Sequence, residues 1–344
     1  DVFYSDAEVF DIGAGVWFVN GIDTGTANLL LRAEDTAGTG TITQSQPIIA
    51  AGFGLISIGD ALLDNAANDV DTLNISAWSA ADQQIHFTDA DGFNLGGVTV
   101  FGITSLADGP GATANDPDAV LTLESGGPVT QDADAPITGF GGLELIAFEG
   151  TSTSGNFLLH TAENDVDTLA VDTSLSLGGL IPGAGGDVFF YDVDDLDIGA
   201  VTGADGNTTT GANMGVNGIL ALMGGGPFTQ SETMIGGILQ LLGPGSFTFD
   251  DPANDFDTLA VAVGGNVTYY DKDDIDLGAG TLTQTITPPG MTYQNITEFW
   301  VGGNLDVRVG GTPELVPNPQ VADITDSVDL RIEGNASFMV DAGV

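Results

Sequence analysis

Apolar residues recur at alternate positions in short runs along the whole chain. In DLDIGA at 195–200, Leu196 and Ile198 fall on one side of an extended backbone, and Asp195 and Asp197 on the other. The runs are rich in Val, Ile, Leu, Phe and Thr and last about four to six residues, a strand length. Gly, Asn and Asp separate them, as turns require. No helical i, i+3, i+4, i+7 pattern extends beyond two turns. The pattern predicts an all-β protein with apolar side chains in and acids out. The three most apolar runs, 47–59, 215–226 and 234–245, are dotted with Gly. They are shorter than the roughly 20 residues of a membrane helix. They read as buried strands, with no membrane insertion.

The strands are organised in a repeat. An aromatic strand running into carboxylates occurs as FYSDAEVFDIGA (3–14), HFTDADGFNLGG (86–97), FFYDVDDLDIGA (189–200) and TYYDKDDIDLGA (268–279). A second motif occurs as NDVDTLNI (68–75), NDVDTLAV (164–171) and NDFDTLAV (254–261). Its starts lie roughly 90–100 residues apart. A third occurs as TITQSQPI (41–48), PVTQDADAPI (128–137) and PFTQSETM (227–234). The order is always aromatic-acidic strand, Gly-rich stretch, TQ motif, apolar run, ND-x-DTL motif.

This order divides the chain into units at 1–84, 85–187 and 188–266. A partial fourth unit with divergent C-terminal strands covers 267–344. All four are expected to form one continuous structural domain. Each unit holds about four strand groups, so one turn of chain takes roughly 20–25 residues, the size of a β-solenoid coil. A coil cannot bury its inner face alone, and stacking gives one continuous core. The expectation is a parallel β-helix. Some fifteen coils at about 4.8 Å would make a rod on the order of 70 Å.

NDVDTLAV, followed by VFFYDVDDLDIGAVTG and a Gly-rich apolar stretch ending in GGPFTQ, resembles the repeats of filamentous-haemagglutinin-like adhesins and related giant bacterial surface proteins. The resemblance covers roughly residues 1–280, motif by motif. It implies a right-handed parallel β-helix, secretion, and a role in adhesion, matrix or surface-layer construction.

Charge narrows the partners. There are 49 Asp and Glu against four Lys and Arg, a net charge of −45. Nucleic acid is excluded as a partner, because phosphate binding needs cations on the protein. Hydrophobic residues at 42% argue against disorder. There is no cysteine, so disulfides and thiolate metal sites are excluded. The chain starts at Asp1 and reads as a mature or excised polypeptide.

The acidic copies are candidate cation sites. Asp192, Asp194, Asp195 and Asp197 are echoed by Asp271, Asp273, Asp274 and Asp276, and more thinly by Asp89 and Asp91. Calcium takes roughly six to eight oxygens, which carboxylates and turn carbonyls supply. Two unit charges 4.8 Å apart in water repel by roughly 0.9 kcal/mol. Stacked acids with almost no Lys or Arg therefore call for calcium, high salt or placement at corners. The solvated acidic face is the competing reading, and a high-salt habitat would produce it.

Asn68, Asn164 and Asn254, with Asp71, Asp167 and Asp257, read as turn and ladder residues. Gln44, Gln131 and Gln230 read as structural. Sequons at Asn74, Asn207, Asn266, Asn295 and Asn335 are possible glycosylation sites.

Catalytic signatures are missing from the sequence. His86 stands where Phe or Tyr stands in the related copies, and Arg32, Lys272, Arg308 and Arg331 are far apart. The expected function is therefore non-enzymatic. It is an extracellular, cell-surface protein that self-assembles into a filament, sheath or surface layer, with its acids neutralised by calcium. The alternatives are a non-polymerising adhesin stalk that binds cell-surface glycans, and a glycoside hydrolase on a β-helix scaffold.

Overall fold

The alternation of the sequence becomes strands throughout. The structure is a computed structural model. It describes residues 1–6, 10–13, 21–33, 41–78, 82–101, 103–104, 110–147, 155–174, 185–280, 296–310 and 323–340. Among these the fold is all-β, with no helix. One hydrogen-bonded network takes in 29 strands. Two small antiparallel pairs stand apart, Thr99–Val100 with Ile103–Thr104 and Ala200–Thr202 with Thr208–Thr210.

Within the network the pairing is parallel, and partners lie about twenty residues apart in the most regular stretch. Apolar residues of successive strands therefore meet in columns. One column runs Ile42, Ala61, Ile85, Leu121, Leu143, Leu169, Ile198. A second runs Val188, Leu220, Leu239, Leu259, Leu277. A third runs Phe228, Phe247, Val267, Leu305, Ala336. The core built from them is unbroken from Ile12 to Val309 and crosses the unit boundaries near 84, 187 and 266.

The longest described strand, Phe157–Asp172, serves three neighbours in turn beyond its pairing with Ile137–Ala147. Its first residues pair with Val188–Asp192, Thr168 and Leu169 with Leu196–Ile198, and its last residues with Ala212–Asn213. Ala212–Asn213 and Ile219–Gly224 both pair with Met234–Gly243, and Ile219–Gly224 pairs with Val188–Asp192. These five parallel strands close a ring. Within the pairing to Val188–Asp192 the register shifts between Leu159 and Asn164.

Apolar-in, acid-out needs one correction. In Val188–Asp192 all five residues are buried. Phe189 and Tyr191 face away from the main core and join Ala221, Met223, Leu242 and Ile296 in a second apolar cluster. Two-sided burial is what a near-continuous apolar run such as VFFY signals in a parallel sheet.

Leu241 is fully buried in the main core, whereas Ile235 is 36% exposed. Leu241→Ala should cost about 2–5 kcal/mol of unfolding free energy, from lost transfer energy plus a cavity. Ile235→Ala should cost less than about 1 kcal/mol. Urea denaturation followed by circular dichroism measures both.

Candidate functional site: a repeated Gln–Asn–Asp bracket

The three sequence motifs meet in space. In the first copy, Gln44 Nε2 donates to Asn68 Oδ1, which also accepts the Ile48 N–H at 2.8 Å. Asn68 Nδ2 donates to the carbonyl of Thr88 at 2.9 Å. The next residue is Asp89, whose carboxylate accepts the N–H groups of Val70 (3.0 Å), Gly92 (2.9 Å) and Asp91 (3.2 Å).

The second copy repeats this. Gln131 Nε2 (2.6 Å) and Ile137 N–H (2.9 Å) donate to Asn164 Oδ1, and Asn164 Nδ2 donates to the Tyr191 carbonyl at 3.0 Å. Asp192 accepts from Val166 and Asp194. In the third copy Gln230 and Met234 donate to Asn254, and Asn254 donates to the Tyr270 carbonyl. Asp271 accepts from Phe256, Asp273 and the Tyr269 hydroxyl, the last at 2.5 Å.

One Asn thus ties three successive strand layers at a bend, where main-chain groups would otherwise be buried without partners. All three Asn are fully buried. Only a side chain with both an acceptor and two donors fills this role, so Asp in its place would lose the Nδ2 bonds.

The proposed metal residues separate into three groups. Asp89, Asp192 and Asp271 are buried, with exposures of 0%, 0% and 1%, and they cap backbone N–H groups. Asp197 and Asp276 form a second repeated device. Asp197 accepts Thr229 Oγ1 at 3.0 Å and Ser231 Oγ at 2.5 Å. Asp276 accepts Thr325 Oγ1 at 3.1 Å and Ser327 Oγ at 2.7 Å. Asp11 does the same with Thr43 and Ser45. The Gly two residues after the Asp leaves room for the clamp. A Cβ on Gly199 would come within 2.7 Å of Asp197 Oδ2 and 2.9 Å of Ser231 Oγ.

Asp91, Asp194, Asp195, Asp273 and Asp274 are exposed. Among the described residues, one group brings three carboxylates within 4.8 Å of one another: Asp255, Asp271 and Asp273. Asp255 was not among the expected ligands, and it accepts Lys272 Nζ at 2.5 Å.

The remaining expected residues fall as follows. Asp71, Asp167 and Asp257 are exposed, and the acid that closes each bracket is Asp89, Asp192 or Asp271 instead. Asn74 is fully buried and donates Nδ2 to the Gly111 carbonyl, which corrects its reading as a glycosylation site. Asn207 is exposed in a hairpin. Asn266 and Asn335 are exposed members of an asparagine ladder. Asn295 lies outside the described residues.

Sequence reasoning missed a polar cluster around a histidine. His86 Nε2 lies 3.2 Å from Glu124 Oε2, and Thr88 Oγ1 donates to that same oxygen at 2.8 Å. Thr122 donates to Glu144 Oε2 at 2.7 Å. An open groove of about 550 Å³ lies alongside, lined by Gln84, Val120 and Gly142 with Asp82, Asp118 and Asp167. Only strand register brings these residues together, so no local motif announces them.

Burial raises the carboxyls of Asp89, Asp192 and Asp271 to about 7, 8 and 6, against an ordinary 3.8, despite the N–H donors that oppose the shift. Burial also lowers His160. No protein-family model, curated protein or solved structure matches the chain. Geometry alone therefore carries the functional reading.

Because the folded pKa values of these acids lie above the unfolded ones, the folded state holds protons to higher pH. Their stabilising contribution is complete below about pH 4 and is lost as pH rises through about 6–8. The urea midpoint should therefore be higher at pH 4.5 than at pH 8.5. Asp192→Asn leaves a backbone donor short of an acceptor and should be less stable at pH 4.5. Its decline between pH 6 and 9 should be visibly shallower than wild type. An unchanged slope would mean that Asp192 titrates normally.

Proposed function

We propose that the chain is a β-solenoid rod with a structural role, a building element of an extracellular filament, sheath or surface layer. The observation that carries this is the stacking of one apolar residue per turn in parallel columns, tied by three copies of the same Gln–Asn–Asp bracket. A bracket repeated along the molecule reinforces its length and does not converge on one reaction centre. The solenoid is of the right-handed parallel β-helix kind that giant surface adhesins suggest.

Apart from the buried Asp89, Asp192 and Asp271, the acids of the aromatic-acidic copies decorate the outside of this rod and call for counter-ions. The Asp255–Asp271–Asp273 group is the best candidate for calcium, with Lys272 already supplying one positive charge there. The other exposed acids keep the rod hydrated and repel nucleic acid.

Small-angle X-ray scattering tests the rod. A particle on the order of 70 Å long with constant cross-section is expected, whereas a compact sphere would refute it. Calcium is tested separately. Millimolar calcium chloride should raise the urea midpoint above that in sodium chloride of equal ionic strength. The extra stabilisation should disappear with chelator and in Asp273→Asn. Equal effects of the two salts would reduce calcium to general screening.

A further inference from the structure

We infer that the groove beside His86 binds a linear polyamine, a flexible methylene chain carrying protonated amines, with one ammonium group held by Glu144. This goes beyond the structural role above and does not depend on it. The groove floor is a row of register partners in four successive parallel strands: Gln84, Val120, Gly142 and Thr168. At about 4.8 Å per layer the row is about 14 Å long. The groove volume of about 550 Å³ lies within the roughly 300–1,000 Å³ of small-molecule sites.

Glu144 stands two residues beyond Gly142 on the same face of Ile137–Ala147, at the inner end of the groove. It is 1% exposed. Its Oε2 accepts the Thr122 hydroxyl, and among the described residues no donor reaches Oε1. The hairpin Ala200–Thr210 closes over it. A Cβ on Gly203 would lie 2.6 Å from Glu144 Oε2 and 2.8 Å from Thr122 Oγ1, and the preceding Thr202 lines the groove. A buried carboxylate oxygen without a donor is costly. His86 does not supply one, because its Nε2 is turned to Glu124. The Lys and Arg residues stand on or beside Ile22–Ala33, Val267–Asp271, Leu305–Val309 and Leu330–Ile332, all outside the groove.

The rest of the groove selects the ligand. Asp82, Asp118 and Asp167 stand exposed around it. Their charge, with that of Glu144, repels anions and attracts a multiply charged cation. Between the acids the surface is apolar or bare, from Pro117, Val120, Val201 and the main chain at Gly142. A Cβ on Gly142 would come within 3.1 Å of Val201 Cγ1 and 3.3 Å of Val120 Cγ2, so a side chain there would fill the floor. Among the described residues, the acids of this groove do not converge as Asp255, Asp271 and Asp273 do, which disfavours a single metal ion. Separate ammonium groups on a methylene chain fit spaced carboxylates with apolar surface between them. An ammonium is a donor only, which suits the open Glu144 oxygen.

Isothermal titration calorimetry with spermidine tests this. In about 0.15 M sodium chloride, where the Debye length is about 8 Å, it should show one saturable site per chain. Glu144→Gln keeps the size and the Thr122 contact but loses the charge, and should weaken that site by roughly 10-fold or more. Asp118→Asn/Asp167→Asn changes only exposed residues and should weaken it by roughly 2- to 10-fold. Asp250→Asn removes one exposed charge outside the groove and should leave the site unchanged. Magnesium chloride of equal ionic strength should not displace spermidine. Circular dichroism of each variant checks that the fold is intact, and if Glu144→Gln is unstable the exposed pair decides. The proposal is overturned by the lack of a saturable site, by equal losses in Asp250→Asn and the groove variants, or by displacement with magnesium. Each of these would reduce polyamine binding to general counter-ion attraction, whether or not the molecule scatters as a rod.

Discussion

Parallel strands cannot be joined by tight hairpins, and the bends between them leave main-chain N–H and C=O groups with no strand partner. Burying them unpaired would cost more than the apolar columns could comfortably offset. The buried asparagines Asn68, Asn164 and Asn254 answer this constraint. Each accepts an N–H from one layer and donates to a carbonyl of another. The Gln before it and the Asp after it complete the bracket. The columns of Leu, Ile, Val and Phe depend on these brackets, because the bracket holds the register in which the columns meet.

Electrostatics follows from the same arrangement. Three of the four Lys and Arg are engaged locally: Lys272 with Asp255, Arg308 with Asp306 and the Tyr270 ring, Arg331 with Glu333. None offsets the general excess of −45. The chain instead handles its carboxylates by position. Asp89, Asp192 and Asp271 are buried against N–H donors. Asp11, Asp197 and Asp276 are satisfied by Thr and Ser hydroxyls of a neighbouring strand. Others stay in solvent.

How much of this was legible depends on whether the signal is local. The Gln, Asn and Asp positions stood out as repeats, and the turn role of the asparagines follows from their chemistry. The clamp was half visible. Asp-x-Gly recurs at 11–13, 197–199 and 276–278, but its Thr-x-Ser partners lie roughly thirty to fifty residues away. Thr325-Asp326-Ser327 even escapes the TQ motif, since only the hydroxyls are needed for the clamp. In the second unit Asn94 and Asp132 replace the Asp and the Ser, so the pattern looks broken although Thr130 still bonds Asn94. His86 and Glu124 carry no shared motif at all.

By itself the sequence determined the strand content and the apolar face of most strands, because each rests on alternation and turn residues within a few positions. Only the tertiary structure decided which carboxylates are buried, which hydroxyls clamp which acids, and that Val188–Asp192 is covered on both faces. Those outcomes depend on the register between strands distant in the chain. Register is set by the sum of all columns and brackets at once, and no short stretch of sequence contains that sum.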